Sequence, residues 1–411
     1  MRARILLVRH GRSEANDAGL WQGHGDSPLA QTGEAQASAL AARLADVRPD
    51  RIVASDLLRA QGTAQALGGA DVIDPAWKEM NLGDWEGETF ERVMERNPDM
   101  LTAIRDGEDI RFGHTGETID EFERRVNGAF DRVADAMEEG QTVIVVTHGG
   151  AIDAVVARFL GRVGGRRAYP IATNTSLTEI VRGRRRGWRL RRFNDALHLD
   201  EAAGFLGQAA DQGYGVVGLV RHGVTKANIE ARVQGQSCWG LDPAGFEQAE
   251  AFAARYPQPD VVYSSPQQRA LETARAIGAP IVTDERLMEI SFGEWEGRYD
   301  DEIRDDPLVR RIWRDGEDLP RGHTGETFDD VKRRIEAFLA DLEVEPGMRA
   351  LAVSHGVAIR AAVASVLQRG FDIEGDIKGV WNTGVTHLAL AGPDARMPGT
   401  MLVDFNVRPE V

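Results

Sequence analysis

The sequence has little of what stabilises a chain covalently or holds it in a membrane. Its 411 residues include one cysteine, Cys238, which excludes an internal disulfide and any metal site built from several thiolates. No apolar run reaches the ~18 residues of a membrane span, and the first residues lead into a strand-like segment rather than a signal peptide. Positive charge is in deficit, because 49 Lys and Arg face 65 Asp and Glu for a net charge of −16. We therefore expect a cytoplasmic protein with no nucleic-acid or membrane partner.

The sequence does contain a long internal repeat. Five blocks occur twice, in the same order and about 210 residues apart. The blocks lie at 7–11 and 219–223, 55–64 and 265–274, 79–87 and 289–297, 106–118 and 315–327, and 147–149 and 354–356. A repeat of this length is a complete domain rather than a solenoid unit. We therefore predict two tandem domains, residues 1–200 and 216–411, joined by a linker at 201–215.

Strand-like and helix-like segments alternate within each copy. The predicted strands are 5–8, 51–54, 142–147, 216–220, 261–264 and 350–354, and the predicted helices are 56–67, 151–160, 267–277 and 358–367. Repeated strand–turn–helix units predict an α/β fold, here two tandem copies of a three-layer αβα domain around a mostly parallel sheet. Ligands of such sheets bind beyond the carboxyl ends of the strands, where His10 and His148 each follow a predicted strand.

Five polar side chains of each copy form a set that suits phosphate. They are Arg9, His10, Arg59, Glu79 and His148 in the first copy, and Arg221, His222, Arg269, Glu289 and His355 in the second. Guanidinium groups make bidentate, charge-assisted bonds to phosphate oxygens and stay charged at neutral pH, and a predicted helix directly after Ser55 adds its N-terminal dipole. A neutral imidazole nitrogen in this setting can attack phosphorus. A carboxylic acid can protonate the departing oxygen and then take a proton from water.

Two other interpretations of these residues are open. Two histidines and a glutamate also match the ligand set of a metal triad, although two fixed positive charges beside a metal dication are electrostatically unfavourable. The choice of Glu79 is open as well, since Asp84, Glu86 and Glu88 lie close to it and an acidic loop is often only a solvated surface. The recurrence of the same glutamate as Glu289 favours the functional interpretation.

These motifs also carry a family resemblance that covers essentially the whole chain. Arg-His-Gly, then Ser-x-x-x-Arg-Ala, Glu-x-x-x-Gly-x-Trp-Glu-Gly and a strand ending in Thr/Ser-His-Gly resemble the histidine phosphatase (phosphoglycerate mutase-like) superfamily, twice over. The resemblance implies that His10 and His222 become phosphorylated, that Glu79 and Glu289 serve as acid and base, and that no metal or other cofactor takes part. It also implies a phosphate-binding set consisting of Arg9, Asn16, Arg59 and His148, with Arg221, Asn228, Arg269 and His355.

The resemblance extends to one branch of that superfamily. The glutamate blocks are similar to those of the short phosphatase branch, and a copy of about 200 residues lacks room for the extra cap segment of the mutases. We therefore expect a tandem phosphatase that hydrolyses phosphomonoesters of a small metabolite. A phosphoglycerate-mutase-like phosphotransferase and a phospho-ligand-binding protein with one idle site are the alternatives. The two domains are also candidates for an intramolecular pseudo-dimer.

The two copies differ at the expected mouth of the crevice. The run Gly-x-x-Asp-x-Pro-Leu at 23–29 becomes Gly-x-x-Cys-x-Gly-Leu at 235–241, and Lys226 stands where the first copy has Glu14. These differences predict different substrate preferences, with Cys238 as a small loop residue rather than a nucleophile. His114 and His323 lie on a loop that either lines the pocket or only anchors it. The arginine-rich segment 182–192 is predicted as a solvated edge hairpin protected by charge rather than an RNA-binding strip.

Overall fold

The computed structural model describes residues 2–105, 108–183, 187–199, 204–395 and 399–411. The chain folds as two compact units, Met1–Gly204 together with Pro409–Val411 (unit 1) and Phe205–Arg408 (unit 2). Parts of three predicted segments lie outside the described residues: 106–107 of the fourth repeat block, 184–186 of the arginine-rich segment, and 200–203 at the predicted linker. Within the described residues, no helix combines the length and the apolar character needed to cross a lipid bilayer.

Unit 1 is built on a mixed sheet of six strands. They are β1 (Arg4–Arg9), β2 (Arg51–Ala54), β3 (Val72–Ile73), β4 (Thr142–Thr147), β5 (Leu177–Arg182) and β6 (Trp188–Asp195). Their spatial order is β3-β2-β4-β1-β5-β6. The first four strands in this order are parallel, β5 is antiparallel to β1, and β6 is antiparallel to β5. Arg9 is the register partner of Thr147. The strands β1 and β4 therefore end side by side, and the residues that follow them meet at one edge of the sheet.

Helices cover both faces of this sheet. They are α1 (Glu14–Asp17), α2 (Gln31–Arg43), α3 (Leu58–Ala66), α4 (Phe90–Arg96), α5 (Pro98–Arg105), α6 (Ile119–Asp135) and α7 (Gly149–Leu160), with 3₁₀ turns at Pro75–Trp77 and Gly83–Trp85. Leu6 and Val8 of β1 form one core cluster with residues of α2 and α3. Because side chains alternate along a strand, the buried residues Ile5 and Leu7 point to the other face, where α6 and α7 pack. The helix predicted from residue 56 begins at Leu58 instead, since Leu57 has an extended backbone.

Unit 2 repeats this architecture. It begins with α8 (Phe205–Gln208), and the part of the predicted linker that the structure describes contains α8, a turn and the start of the first strand. The strands are β7 (Tyr214–Arg221), β8 (Val261–Ser264), β9 (Ile281–Thr283), β10 (Arg349–Ser354), β11 (Val385–Ala391) and β12 (Thr400–Leu402). Their order is β12-β11-β7-β10-β8-β9. The register pairs Arg221 with Ser354, so β7 and β10 end side by side as β1 and β4 do.

The helices of unit 2 follow the same plan. They are α9 (Lys226–Ile229), α10 (Pro243–Ala253), α11 (Gln268–Arg275), α12 (Asp300–Ile303), α13 (Pro307–Trp313), α14 (Phe328–Ala340), α15 (Gly356–Val366) and α16 (Ile373–Asp376), with 3₁₀ turns at Glu285–Leu287 and Gly293–Trp295. The helix α14 starts with a capping box in which Thr327 and Asp330 exchange bonds, as Thr118 and Glu121 do at the start of α6. The α/β fold predicted from the alternating pattern is confirmed in both units.

A glycine follows both His10 and His222 because the turn is crowded. A Cβ atom at Gly11 would lie 2.6 Å from the carbonyl oxygen of Gly33, and one at Gly223 would lie 2.4 Å from that of Gly245. Such distances are shorter than non-bonded contacts allow, so a larger residue would displace the chain beside the histidine. The recurring His-Gly pair therefore has a steric reason in both units.

The arginine-rich segment forms the edge of the unit 1 sheet. Among the strands that the structure describes, β6 pairs with β5 alone and is outermost, as an edge hairpin requires. The prediction that this hairpin is solvated is wrong for its carboxyl-terminal half, because Arg192 is 1% exposed. Arg192 donates to Asp195 Oδ2 (2.6 Å) and to the carbonyl oxygen of Glu410 (2.7 Å). The last residues of the chain, which belong to unit 1, thus cover part of this edge.

Candidate active site

The two predicted histidines of unit 1 lie together where β1 and β4 end. The His10 N–H donates to the carbonyl oxygen of Thr147 (2.8 Å), which extends the strand pairing by one residue. The imidazole rings of His10 and His148 have centroids 5.0 Å apart, and both side chains are buried. His148 is also the residue from which α7 starts. The strand-end position predicted for both residues therefore brings them into contact.

The His10 imidazole is neutral and fixed in one orientation. Its Nδ1 atom lies 2.7 Å from the carbonyl oxygen of Gly11, and because a carbonyl only accepts, Nδ1 carries the proton and Nε2 keeps its lone pair. Burial, and then the charges of Arg9 and Arg59, hold the pKa of His10 well below its usual value of 6.5. The ring is therefore uncharged at neutral pH, which a nitrogen nucleophile requires.

Backbone carbonyl groups hold both arginines of the unit 1 site. Arg9 Nη1 donates to the carbonyl oxygen of Ala172 (2.7 Å). Arg59 Nη1 and Nη2 donate to the carbonyl oxygens of Gly25 (2.8 Å) and Gly23 (2.9 Å). Burial lowers the pKa of Arg9 to about 10 and also lowers that of Arg59. Both guanidinium groups nevertheless stay protonated at neutral pH, and they supply fixed positive charge beside His10.

Three buried nitrogen atoms here make no hydrogen bond to any residue that the structure describes. They are Arg9 Nε, Arg59 Nε and His148 Nδ1. The other ring nitrogen of His148 lies 2.9 Å from Ser55 Oγ. Buried polar atoms in native proteins nearly always have a partner. A set of such nitrogen atoms around a neutral imidazole suits an oxyanion, because each can donate to one of its oxygens.

Glu79 is attached to the same place through the first turn of α7. Its carboxylate accepts N–H bonds from Gly150 (3.0 Å) and from Met80 (3.0 Å). Its carbonyl oxygen accepts from Arg125 Nη2 (3.1 Å) and lies 3.0 Å from His24 Nε2. A Cβ atom at Gly150 would lie 2.3 Å from Glu79 Oε1, so glycine lets the helix backbone approach the carboxylate. The dipole of α7 therefore acts on Glu79. The helix whose dipole was predicted to act on phosphate is α3, and its Leu58 N–H is bound by Asp26 Oδ1 (2.8 Å).

The neighbouring acidic residues have partners within their own region. Glu86 accepts from the Leu82 N–H (3.2 Å), Asp84 accepts from Thr115 Oγ1 (3.0 Å), and Glu88 pairs with Arg96 (3.0 Å). These contacts hold the loop that follows Glu79. They favour Glu79 as the carboxylate of the site.

Unit 2 reproduces the arrangement with the equivalent atoms. His222 Nδ1 lies 2.7 Å from the carbonyl oxygen of Gly223, and His355 Nε2 lies 2.9 Å from Ser265 Oγ. Arg221 Nη1 donates to the carbonyl oxygen of Val380 (2.7 Å). The Glu289 carboxylate accepts from the N–H groups of Ile290 (3.0 Å) and Val357 (3.1 Å). Burial, and then the charges of Arg269 and Arg221, hold the pKa of His222 well below its usual value. Burial also lowers the pKa of Arg269 to about 10.

In unit 2 the second arginine also contacts both imidazole rings. Arg269 Nε donates to His222 Nε2 (3.2 Å) and to His355 Nδ1 (3.3 Å). Arg269 Nη2 donates to the carbonyl oxygen of Gly235 (2.6 Å), and Nη1 to that of Ser237 (3.1 Å). One guanidinium therefore ties the loop at 235–237 to the two histidines.

The two predicted asparagines shape the turn after the strand-end histidine. Asn16 Oδ1 accepts from the Ser13 N–H, and Asn228 Oδ1 accepts from the Thr225 N–H, each at 3.2 Å. The Asn228 amide group also donates to Gln234 Oε1 (3.3 Å). Each asparagine thus completes a capping box at the start of a one-turn helix. Their contact with phosphate stays a prediction.

Comparison with known proteins identifies the family to which the chain belongs. The model of the histidine phosphatase superfamily (branch 1) matches residues 5–196 and 217–397. The chain belongs to the histidine phosphatase superfamily. One match falls in each unit, and together the two cover most of the chain.

The relatives of this histidine phosphatase include proteins named as phosphatases and proteins named as probable phosphoglycerate mutases. An adenosylcobalamin/alpha-ribazole phosphatase of Salmonella typhimurium is 36% identical over 161 residues, which are 38% of this chain and 79% of that protein. A metal-independent phosphoserine phosphatase of Arabidopsis thaliana is 32% identical over 214 residues, 50% of this chain and 87% of that one. A solved mycobacterial glucosyl-3-phosphoglycerate phosphatase in complex with VO3 is 31% identical and covers 46% of this chain and 97% of its own, with a TM-score of 0.41.

Two residue pairs that were not among the predicted site residues also contact the histidines of the candidate site. Asn174 Nδ2 donates to the carbonyl oxygen of His10, and Asn382 Nδ2 to that of His222, each at 2.9 Å. Ser55 and Ser265 contact the second histidine of their unit, as described above. The sequence contains a repeat that indicates both pairs. The Asn-Thr pair at 174–175 recurs at 382–383, and each serine is the first residue of a repeat block.

The remaining predicted residues have other contacts. His323 Nε2 lies 3.0 Å from Asp306 Oδ2, its ring packs edge-on against Trp295, and its side chain is about half exposed. His114 is exposed in a left-handed turn, at φ 61°. These contacts favour loop anchoring over pocket lining. Cys238 is exposed, and its thiol lies 3.4 Å from Gln268 Oε1. Among the described residues, no group of three or more His, Cys, Asp or Glu side chains is arranged to hold a metal ion.

Proposed function

We propose that each unit is a phosphomonoesterase that hydrolyses phosphate esters of a small metabolite through a phosphohistidine, formed at His10 in unit 1 and at His222 in unit 2. The observation that carries this proposal is a neutral, oriented imidazole beside two buried guanidinium groups. The guanidinium charges compensate a dianionic phosphate, and the neutral ring nitrogen attacks phosphorus.

Phosphate binding is assigned to the nitrogen atoms that converge on His10. Arg9, Arg59 and His148 would donate to the three non-bridging oxygens, with Asn16 as a further contact. In unit 2 the corresponding residues are Arg221, Arg269, His355 and Asn228. Because carbonyl groups already fix the guanidiniums, they need little reorganisation when the negative charge shifts during the reaction.

The first step transfers the phosphoryl group to nitrogen. The lone pair of His10 Nε2 forms a bond to phosphorus while the bond between phosphorus and the ester oxygen breaks. The protonated carboxyl group of Glu79 gives its proton to that oxygen, so a neutral alcohol leaves and Glu79 becomes a carboxylate. In unit 2, His222 and Glu289 take these roles.

The second step releases inorganic phosphate. The Glu79 carboxylate takes a proton from water as the water oxygen attacks phosphorus, and the bond between phosphorus and nitrogen breaks. The electron pair of that bond returns to Nε2, so both His10 and Glu79 regain their starting protonation states. The overall reaction consumes one ester and one water and yields one alcohol and one phosphate.

The names of several relatives support this reaction class, whereas the probable phosphoglycerate mutases among them correspond to the phosphotransferase alternative. Alpha-ribazole, phosphoserine and glucosyl-3-phosphoglycerate phosphatases are named for phosphorylated small metabolites, and one of them is named as metal-independent. We propose the same class of substrate here, a phosphate ester of a small polar alcohol. Cytoplasmic location, the absence of a nucleic-acid partner and a pseudo-dimer of the two domains stay predictions.

The test is to trap the covalent intermediate in the full chain. After brief mixing with p-nitrophenyl phosphate and an alkaline quench, we expect a phosphoryl group on the peptides that contain His10 and His222, stable in base and lost in acid. His10→Ala should keep only the second label, and His222→Ala only the first. The double variant should lose both labels and about 10⁴-fold or more in turnover. Turnover by the double variant at the parental rate would refute the proposal.

A second variant separates the two steps. Glu79→Gln, placed in the His222→Ala chain, removes the proton donor and the later base of unit 1. Because p-nitrophenolate leaves without a proton, the label at His10 should still form, but it should persist because water attack has lost its base. Stoichiometric inorganic phosphate supports hydrolysis, whereas transfer of most of the phosphate to an added alcohol identifies a phosphotransferase. A unit that never takes label is the idle binding site.

A further inference from the structure

The two units differ at the rim beside their first arginine. In unit 1 a Cβ atom at Gly149 would lie 2.5 Å from Ile171 Cγ2 and 3.4 Å from Arg9 Nε. The Ile171 side chain therefore lies against the start of α7 next to the Arg9 guanidinium. It is 46% exposed, so it forms an apolar rim on this side of the candidate site.

Unit 2 has no side chain at the corresponding place. The carbonyl groups that accept from Arg9 and Arg221 belong to Ala172 and Val380, and the residue before Val380 is Gly379. A Cβ atom at Gly356, the first residue of α15, would have as its nearest neighbours Arg221 Nε and Glu289 Oε2, both at 3.7 Å. Within the residues that the structure describes, only the end of the Arg360 side chain comes within 4 Å of a Cβ atom placed at Gly379, so the place that Ile171 fills in unit 1 is an opening in unit 2.

A guanidinium group borders this opening. Arg360 Nη1 lies 3.3 Å from the position of a Cβ atom at Gly379. Arg360 is one helical turn after Gly356, so both lie on the face of α15 that meets Arg221. Its Nε atom pairs with Glu374 Oε1 (2.5 Å). The ion pair with Glu374 is on the Nε side, and Nη1 is the guanidinium atom that lies at the opening.

The charge at this helix position is reversed between the units. Unit 1 has Asp153 one turn after Gly149, and its carboxylate pairs with Arg162 (3.2 Å). In unit 2, burial lowers the pKa of Arg221, Glu289 opposes this effect, and the charge of Arg360 lowers the pKa further. The field of Arg360 therefore reaches the residue that we assign to phosphate binding.

We propose that Arg360 and the opening at Gly379 form a subsite in unit 2 that binds a second anionic group of the phosphorylated substrate. This inference rests on the proposed function of unit 2. Unit 1, with Ile171 and a carboxylate at 153, prefers esters whose leaving group carries no such charge. The second group is a carboxylate or another phosphate, since both accept bidentate bonds from a guanidinium.

The experiment compares two esters in the full-length His10→Ala chain, where only unit 2 turns over. The esters are 3-phosphoglycerate and glycerol 3-phosphate, which differ by a carboxylate in place of a hydroxymethyl group. The measured quantity is the ratio of their kcat/KM values. Loss of one charge-assisted hydrogen bond in Arg360→Gln should lower this ratio about tenfold or more, mainly through the KM of the acidic ester.

A second variant tests the opening by filling it. Gly379→Ile fills the space as unit 1 does, and the nearest atom that its Cβ meets is the end of the flexible Arg360 side chain. It should lower the same ratio. Arg333→Gln, an exposed arginine on α14, is the matched control and should leave the ratio unchanged. In unit 1, tested in the His222→Ala chain, Ile171→Gly should not raise the ratio, because no cation replaces Asp153.

The outcomes distinguish the subsite from the function on which it rests. If the His10→Ala chain hydrolyses glycerol 3-phosphate and neither Arg360→Gln nor Gly379→Ile changes the ratio, the subsite is refuted and the phosphatase proposal stands. If that chain hydrolyses neither ester and takes no label at His222, the proposed function of unit 2 fails and the subsite fails with it. Circular dichroism of each variant identifies a folding defect, in which case the other variant decides.

Discussion

The turn that holds the second arginine is Gly23-His24-Gly25 in unit 1 and Gly235-Gln236-Ser237 in unit 2. In both, the carbonyl oxygens of the outer residues accept from the guanidinium, and the middle side chain reaches the carbonyl oxygen of the glutamate. His24 Nε2 lies 3.0 Å from the Glu79 oxygen, and Gln236 Nε2 donates to the Glu289 oxygen at 3.1 Å. An imidazole and an amide thus do the same task. The backbone of the turn sets the geometry, and its side chains are free to differ.

The same loop is attached to the following helix in two different ways. In unit 1, Asp26 Oδ1 accepts from the Leu58 N–H (2.8 Å). In unit 2, Cys238 replaces that aspartate, and Gln267 takes over by donating to the carbonyl oxygen of Gly235 (3.0 Å) and accepting from the Glu289 N–H (2.9 Å). The residue of unit 1 that corresponds to Gln267 is Leu57, a buried leucine. Unit 2 therefore links its arginine loop to its glutamate through one buried amide.

The largest difference between the units should follow removal of the second arginine. Arg59→Met and Arg269→Met, each measured with the other unit inactivated, should cost about 10²–10³-fold in kcat/KM, as loss of a preorganised anion donor does. We expect the loss to be greater for Arg269, because its Nε atom also contacts both histidines. Arg333→Gln is the control. Equal losses would show that this extra contact does not contribute to catalysis.

Much of the fold and of the candidate site was predictable from the sequence, because these features depend on short local sequence patterns. The duplication, the parallel strands and the histidines after β1 and β4 depend on short motifs and on strand-end geometry. The contacts that hold those side chains were not predictable in the same way. Asn174 reaches the His10 carbonyl across 164 residues, and no local rule selects such a pair, although the repeat contains it.

The incorrect prediction for the sheet edge has the same physical origin. The arginine-rich edge was expected to be solvated, but Arg192 is buried because residues at the end of the chain cover it. The contribution of the α3 dipole to phosphate binding stays a prediction, and the structure adds two contacts that the pattern did not indicate: the Leu58 N–H is bound by Asp26, and the Gly150 N–H of α7 reaches the Glu79 carboxylate. Helix position can be estimated from composition, whereas the use of its free N–H groups depends on distant loops.

A smaller effect should separate the units at Gln267. In the His10→Ala chain, Gln267→Leu gives unit 2 the residue of unit 1 but leaves the Glu289 N–H without its acceptor. A buried unsatisfied donor costs about 1–3 kcal/mol, so we expect roughly a tenfold lower kcat with little change in KM. The phosphohistidine label should also decay more slowly, because a displaced Glu289 activates water poorly. Gln268→Leu, at the next and exposed position, should leave both values close to the parent, and an unaltered decay rate in Gln267→Leu would contradict a positioning role.

The smallest difference between the units should be in their stability towards acid, where we expect the two units to behave alike. Burial holds the pKa values of His10, His148, His222 and His355 well below 6.5, whereas in the unfolded chain each histidine has a pKa of about 6.5. Below that pH the unfolded state takes up protons that the folded state does not, so stability that is present above pH 6.5 is lost as the pH falls. At pH 5.5 the loss is about 1.4 kcal/mol for each histidine.

Hydrogen exchange in peptides from β1 and β7, corrected for the intrinsic effect of pH, measures this loss separately in each unit. His10→Asn should remove about half of the loss in unit 1 alone, and His222→Asn about half of that in unit 2 alone, since each unit contains two such histidines. Equal slopes in the two units would show that burial dominates over the different rims. A shallower slope in unit 1 would instead mean that its histidines, for which no bond from Arg59 is recorded, take up protons in the folded state, whereas those of unit 2 accept from Arg269.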